Sequence, residues 1–124
     1  MEFIDIRKLV GKTLTSIKGG VGSDELILTT TEGVVYKMFH DQHCCEYVYV
    51  QDIIGDLNDL VGTTIIQAEE VTSDKHPEGY KPDGYIDSFT WTFYKFATIK
   101  GYVTIRWLGE SNGYYSESVE IIKW

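Results

Sequence analysis

An approximate internal repeat is the feature that most constrains how this chain can fold. The segment LVGKTLTSIK at residues 9–18 resembles LVGTTIIQAE at residues 60–69. Each match follows a short segment with apolar residues at helical spacing, residues 3–10 in the first case and 51–60 in the second. Self-similarity of this kind indicates that one arrangement of elements occurs twice along the chain.

A second pair of matching segments extends the repeat toward the end of each half. CCEYVYV at residues 44–50 resembles YSESVEI at residues 115–121, and a polar loop precedes both. We therefore expect residues 1–124 to form a single domain, with similar halves at about residues 3–50 and 52–124.

Composition and alternation predict that strands dominate both halves. The 124 residues include nine Tyr, three Trp and many Val, Ile and Thr, which are the residues that strands favour. The predicted strands are residues 12–18, 25–30, 34–40, 44–50, 63–71, 88–100, 102–109 and 114–124. We predict an α+β fold that is mainly antiparallel β, with two similar helix-plus-β-meander halves, about eight strands in one sheet system, and two short helices covering one face. Residues 73–85, which hold both prolines, are predicted to be a loop.

The excess of acidic residues excludes one class of partner. The chain has 19 Asp and Glu against 11 Lys and Arg, a formal net charge of −8. Binding to a nucleic-acid backbone needs clustered Lys and Arg, so we expect none. No apolar run approaches the roughly 18 residues of a membrane span, and the first residues do not resemble a signal peptide. We expect a cytoplasmic protein that does not enter a membrane.

The segment HDQHCCE, residues 40–46, concentrates side chains that can carry chemistry. His, Cys and Glu are zinc ligands, and a Cys–His pair is the minimal unit for acyl transfer, so a metal site and a nucleophilic cysteine are both open interpretations. The third is a strand whose cysteines pack as small apolar side chains. Because successive strand residues point to opposite faces, we expect no metal, no cofactor and no disulfide at Cys44 and Cys45.

Arg106 lies in the middle of a predicted apolar strand, between Ile105 and Trp107. A buried guanidinium needs a partner, and Glu46, Glu117 or Glu69 could supply a carboxylate. The functional alternative is that Arg106 binds a phosphate or carboxylate of a ligand.

The stretch from Ser111 to Tyr115 combines turn-forming residues with two tyrosines. Aromatic faces beside hydroxyl and amide groups make a surface for stacking and hydrogen bonding. We assign no catalytic residue. The predicted ligand-binding residues are Arg106, Trp107, Ser111, Asn112, Tyr114, Tyr115, His40, His43 and Glu46.

Two stretches of the chain resemble a family of small phage and bacterial proteins carried as a domain of unknown function. They are HDQHCCEYVYVQDIIGDLNDLVG and WTFYKFATIKGYVTIRWLGESNGYYSESVEI, and the marks within them are HxQxCCE and SNGYYSE. The resemblance covers most of the chain outside the charged loop near residues 73–85. It implies a phage or mobile-element setting, hence the cytoplasm of a host cell, and by analogy of setting a role against host defences.

Together these inferences predict a non-enzymatic binding protein, with an anti-defence role as the hypothesis. Its partner would be a nucleotide-like signal that it sequesters or a host defence protein that it blocks. The alternative is a small metal- or cysteine-dependent enzyme that uses the HDQHCCE region. A homo-oligomer is compatible with the sequence.

Overall fold

Nine strands form two antiparallel sheets in the computed structural model, which describes residues 1–124. The strands are β1 (Glu2–Phe3), β2 (Leu14–Lys18), β3 (Glu25–Thr30), β4 (Val35–Phe39), β5 (Tyr47–Ile54), β6 (Gln67–Ser73), β7 (Ser88–Thr98), β8 (Gly101–Ser111) and β9 (Glu120–Lys123). Sheet 1 has the order β1-β9-β4-β3-β2, and sheet 2 has the order β5-β8-β7-β6. The prediction of a mainly antiparallel β fold is confirmed, although there are two sheets and nine strands where one sheet system and about eight strands were expected.

The α-helical part of the prediction is wrong. The only helices are single 3-10 turns, Ile6–Leu9 and Leu57–Leu60. An aspartate caps each turn by accepting a backbone N–H two residues later, and a valine in extended conformation ends it. Residues 51–54 continue strand β5 and do not enter a helix. A turn of four residues is too short to cover a sheet face. Each turn instead contributes one completely buried leucine to the core, Leu9 or Leu60.

The same order of elements occurs twice along the chain. A 3-10 turn, three strands, a polar loop and a further strand run from Ile6 to Ile54, and the same series runs from Leu57 to Lys123. The last strand of each series crosses over, because β5 lies beside β8 in sheet 2 and β9 lies beside β4 in sheet 1. Each half therefore completes the sheet of the other half.

Matched contacts between the two turns support the predicted repeat. The Gly11 N–H donates to the Ile65 carbonyl over 2.8 Å, and the Gly62 N–H donates to the Leu14 carbonyl over 2.9 Å. Gly11 and Leu14 correspond to Gly62 and Ile65 in the aligned segments, so each half donates to the other through the same positions.

The core lies between the sheets. Trp107, Tyr94 and Phe96 from sheet 2 pack in one apolar cluster with residues of sheet 1 such as Leu28 and Met38. Burial of such side chains is the main stabilising contribution to a domain of this kind. No helix is both long and apolar enough to cross a membrane.

The outer face of sheet 2 carries a second cluster, which the loop at residues 74–87 covers. The Trp91 indole N–H donates to His76 Nδ1 over 3.1 Å, and the Tyr80 ring meets the Trp91 ring edge-on at 4.9 Å. Trp91 and Leu108 are completely buried under this cover. The predicted loop is confirmed. It connects β6 to β7 and also packs against Trp91 on the outer face of sheet 2.

Candidate functional site

Two loops that occupy equivalent places in the repeat lie side by side. Residues 40–46 lead from β4 to β5, and residues 112–119 lead from β8 to β9, so both cross from one sheet to the other. The imidazole of His40 joins them: Nδ1 lies 2.7 Å from the Ser118 carbonyl oxygen, and Nε2 lies 2.8 Å from Glu46 Oε2. Each ring nitrogen therefore faces an oxygen of a different loop.

Glu46 is a buried carboxylate that holds the first loop in shape. Its oxygens accept the backbone N–H groups of His43 at 3.0 Å and Cys44 at 2.8 Å, together with the side chains of His40 and Gln42. Burial by itself would raise the pKa of Glu46. The hydrogen bonds from His40 and from these backbone groups outweigh that effect and lower the pKa to about 2. Glu46 is therefore an anchor inside the loop and has no oxygen facing a surface ligand.

Glu117 is the carboxylate that holds the second loop against sheet 2. It accepts hydrogen bonds from the hydroxyls of Thr90, at 2.7 Å, and Ser111. The loop backbone approaches β8 so closely that a Cβ added at Gly109 would lie 2.5 Å from the Glu117 carbonyl oxygen. The glycine in the sequence WLGESNG is required for this contact.

The two cysteines form a disulfide with each other, so the expectation of no disulfide is wrong. Strand alternation does not hold at these two residues, because the chain bends at Cys44 and Cys45 and β5 begins only at Tyr47. From Tyr47 onward alternation holds, with Val48 and Val50 facing the core. No group of three or more His, Cys, Asp or Glu side chains is placed to hold a metal ion.

A groove of about 330 Å³ opens beside the disulfide on the outer side of sheet 2. Its lining residues are Cys45, Tyr47, Tyr85, Ile86, Asp87, Glu110, Ser111 and Asn112. Tyr47 is 55% exposed and Tyr85 is 87% exposed, so both rings offer free surface. Two carboxylates and no basic side chain line the groove. Burial raises the pKa of Glu110, and the nearby Glu117 adds to the rise, whereas His76 opposes it.

Arg106 lies beside this region but is occupied within the sheet. Its Nε donates to Gln51 Oε1 over 2.8 Å, its Nη2 lies 3.6 Å from Asp52 Oδ2, and its guanidinium stacks over the Trp91 ring at 5.1 Å. The partners are therefore Gln51 and Asp52, not the predicted Glu46, Glu117 or Glu69. A bulge between Val50 and Asp52 brings both partners to the outer face.

The structure places the predicted site residues in three groups. Ser111 and Asn112 line the groove. Tyr114 is 84% exposed and Tyr115 packs edge-on against it, next along the same loop, while His43 is an exposed side chain near Asp41 in the other loop. The remaining residues are taken up inside the protein: Glu46, His40, Trp107 and Arg106. Trp107 is completely buried in the core and has no surface to offer a ligand.

Of the eight residues that line the groove, only Ser111 and Asn112 were among the predicted ligand-binding residues. Tyr47 could have been found, because strand alternation put it on the face opposite Val48. Asp87 and Glu110 could have been placed together from the β7–β8 hairpin, which pairs Ser88 with Ser111, whereas Tyr85 lies in a loop segment that carried no such signal.

Comparison with known proteins yields a family and no individual relative. A family model described as "Domain of unknown function (DUF7448)" matches residues 7–121. No curated protein and no solved structure matches the chain.

Proposed function

Taking as premise that the chain belongs to the DUF7448 family, we propose that it is a non-enzymatic binding protein whose groove takes a basic segment of a partner protein. The observation that carries this proposal is the lining of the groove, which combines exposed tyrosines with carboxylates and has no basic side chain.

Exposed tyrosines in a groove are suited to protein recognition. A tyrosine ring buries a large apolar area, its hydroxyl forms a hydrogen bond, and it loses little side-chain entropy on binding. Tyrosine is enriched among the residues that dominate binding energy at interfaces. Tyr47 and Tyr85 supply such rings in the lining of the groove.

Charge favours a basic partner over a nucleotide-like signal. Asp87 and Glu110 line the groove, and the whole chain carries a formal net charge of −8. A nucleotide phosphate needs local cations, and the nearest guanidinium, that of Arg106, is engaged with Gln51 and Asp52. Opposite charges steer a basic segment toward such a site and repel an anionic ligand.

In a phage or mobile-element setting, which the resemblance in sequence implies, the partner would be a host defence protein that the groove blocks. The cysteine-dependent alternative has less support, because Cys44 and Cys45 are bonded to each other and neither is a free thiolate in this state.

Titration with defined probes tests the proposal. A short Lys/Arg-rich peptide, a neutral peptide of the same length and a cyclic dinucleotide are titrated calorimetrically against the wild type, Tyr85→Ala and Glu110→Gln. We expect the basic peptide to bind, with an affinity that falls as salt rises, and both substitutions to weaken binding. Tyr102→Ala is the matched control, because Tyr102 is 78% exposed at the opposite end of β8. Binding of the dinucleotide alone, or peptide binding that both groove variants retain, would reject the proposal.

A further inference from the structure

We propose that Cys44–Cys45 is a thiol–disulfide exchange site that takes cationic thiols approaching through the groove. The proposal concerns the chemistry of the cysteine pair and stands whether or not the groove also binds a protein.

The disulfide is accessible and is presented at the groove. Both cysteines are exposed to solvent, and Cys45 is part of the groove lining. The backbone on the other side is fixed, because Glu46 accepts the N–H groups of Cys44 and His43. The sulfur atoms are therefore held at the surface, and an incoming thiolate reaches Cys45 from the groove side.

This disulfide does not stabilise the fold by closing a loop of the chain. It joins residues one position apart, so it encloses no chain segment. A disulfide stabilises a fold mainly by closing a loop of the unfolded chain, and the effect grows with loop length. Exposed disulfides that do not serve stability belong to the class that is labile, regulatory or catalytic.

The exchange balances with a thiol as the reductant. An incoming thiolate attacks Cys45 Sγ and forms a mixed disulfide, while the Sγ–Sγ bond breaks and Cys44 leaves as a thiolate that takes a proton from water. A second thiolate attacks the reagent sulfur of the mixed disulfide and releases Cys45. The reagent is oxidised to its disulfide, and its two electrons reduce the cysteine pair to two thiols.

The groove selects the charge of the thiol. Asp87 and Glu110 lie on the approach to Cys45, and neither has a basic neighbour in the lining. One unit charge at a separation of about 4 Å in water is worth about fivefold in rate or affinity. A cationic thiol is therefore favoured over an anionic one.

Reduction rates of the intact protein test this. The protein, purified without reductant, is treated with cysteamine (a cationic thiol) and thioglycolate (an anionic thiol) at equal thiolate concentration. The two free thiols are followed by alkylation and mass spectrometry. Rates are divided by those for a neutral small disulfide, which removes the intrinsic reactivity of each reagent. We expect this normalised ratio to favour cysteamine by about 25-fold, because the two reagents differ by two unit charges, to shrink as salt rises, and to fall toward one in the double variant Asp87→Asn/Glu110→Gln.

The position of the trapped adduct gives a second readout that needs no variant. Quenching with acid partway through the reaction and digesting the protein should find the thiol attached to Cys45. Three results would each overturn the proposal: two free thiols that persist in air-oxidised wild type, a normalised ratio near one, or an adduct confined to Cys44.

Discussion

The imidazole of His40 and the carboxylate of Glu46 are hydrogen-bonded at 2.8 Å, with side chains that are only 3% and 0% exposed. Because the same ring also contacts the Ser118 carbonyl, this pair connects the two loops that cross between the sheets. The buried contact therefore lies where the two loops meet.

Acid should remove the stabilisation that Glu46 contributes. Its pKa is lowered from 4.5 to about 2 in the folded protein, so the contribution is complete above pH 4.5 and is lost as the pH falls toward 2. We expect the difference in melting temperature between the wild type and Glu46→Gln to be largest near neutral pH and to shrink across this window. Asp5→Asn is the comparison, because hydrogen bonds from Arg7 lower the pKa of Asp5, which lies at the surface, to a similar value. An equal loss in both variants would contradict a special role for the buried pair.

A side chain at position 109 should be costly. The Cβ of Gly109→Ala would meet the carbonyl oxygen of Glu117 at 2.5 Å and its Cβ at 2.8 Å, so the loop would have to move away from β8. We expect a loss of about 1–3 kcal/mol in the free energy of unfolding, measured by denaturant titration. Gly20→Ala is the control, because nothing lies within 4 Å of its added Cβ and its φ is not positive. The expectation fails if the two variants are equally stable.

Arg106→Ala should act on stability and not on recognition. The substitution leaves Gln51 and Asp52 without their partner and removes the cation over Trp91. We expect a loss of about 1–3 kcal/mol, whereas Lys95→Ala, at an exposed position of the same outer face, should change stability little. Under conditions where Arg106→Ala remains folded, peptide binding in the groove should be retained. Wild-type stability combined with loss of binding would instead make Arg106 a ligand-binding residue.

Removing the cover of sheet 2 should expose Trp91. Tyr80→Ala takes away the ring that meets the Trp91 indole at 4.9 Å, and His76→Ala takes away its hydrogen-bond acceptor. We expect acrylamide to quench tryptophan fluorescence more strongly in both variants, and His76→Ala to cost about 1–3 kcal/mol because a buried donor is left unpaired. Tyr85→Ala serves as the control, since no aromatic contact joins it to this cluster and its ring is 87% exposed. Unchanged quenching in all three would show that residues 74–87 do not cover the tryptophan.

The sequence determined what depends on neighbours along the chain. Side-chain alternation put Val48 and Val50 on one face of β5 and Tyr47 and Tyr49 on the other, because successive strand residues point to opposite faces. The turn between β7 and β8 was visible in the same way, since Lys100 and Gly101 interrupt two long strand patterns. The duplicated order of elements could also be predicted, because similar segments form similar local structures.

Only the tertiary structure decided how distant segments combine. The crossing of β5 and β9 into opposite sheets depends on which strand edges meet, and local pattern contains no such information. The short turns at Ile6–Leu9 and Leu57–Leu60 are each followed by a backbone hydrogen bond to the other half, such as that from Gly11 to Ile65, and this bond takes the chain out of the helical conformation. The groove also draws on distant segments: Tyr47 reaches Glu110 through the pairing of β5 with β8, and Tyr85 belongs to the loop that packs on Trp91. The groove therefore arises from long-range packing, because its lining comes from three segments that are far apart in the sequence.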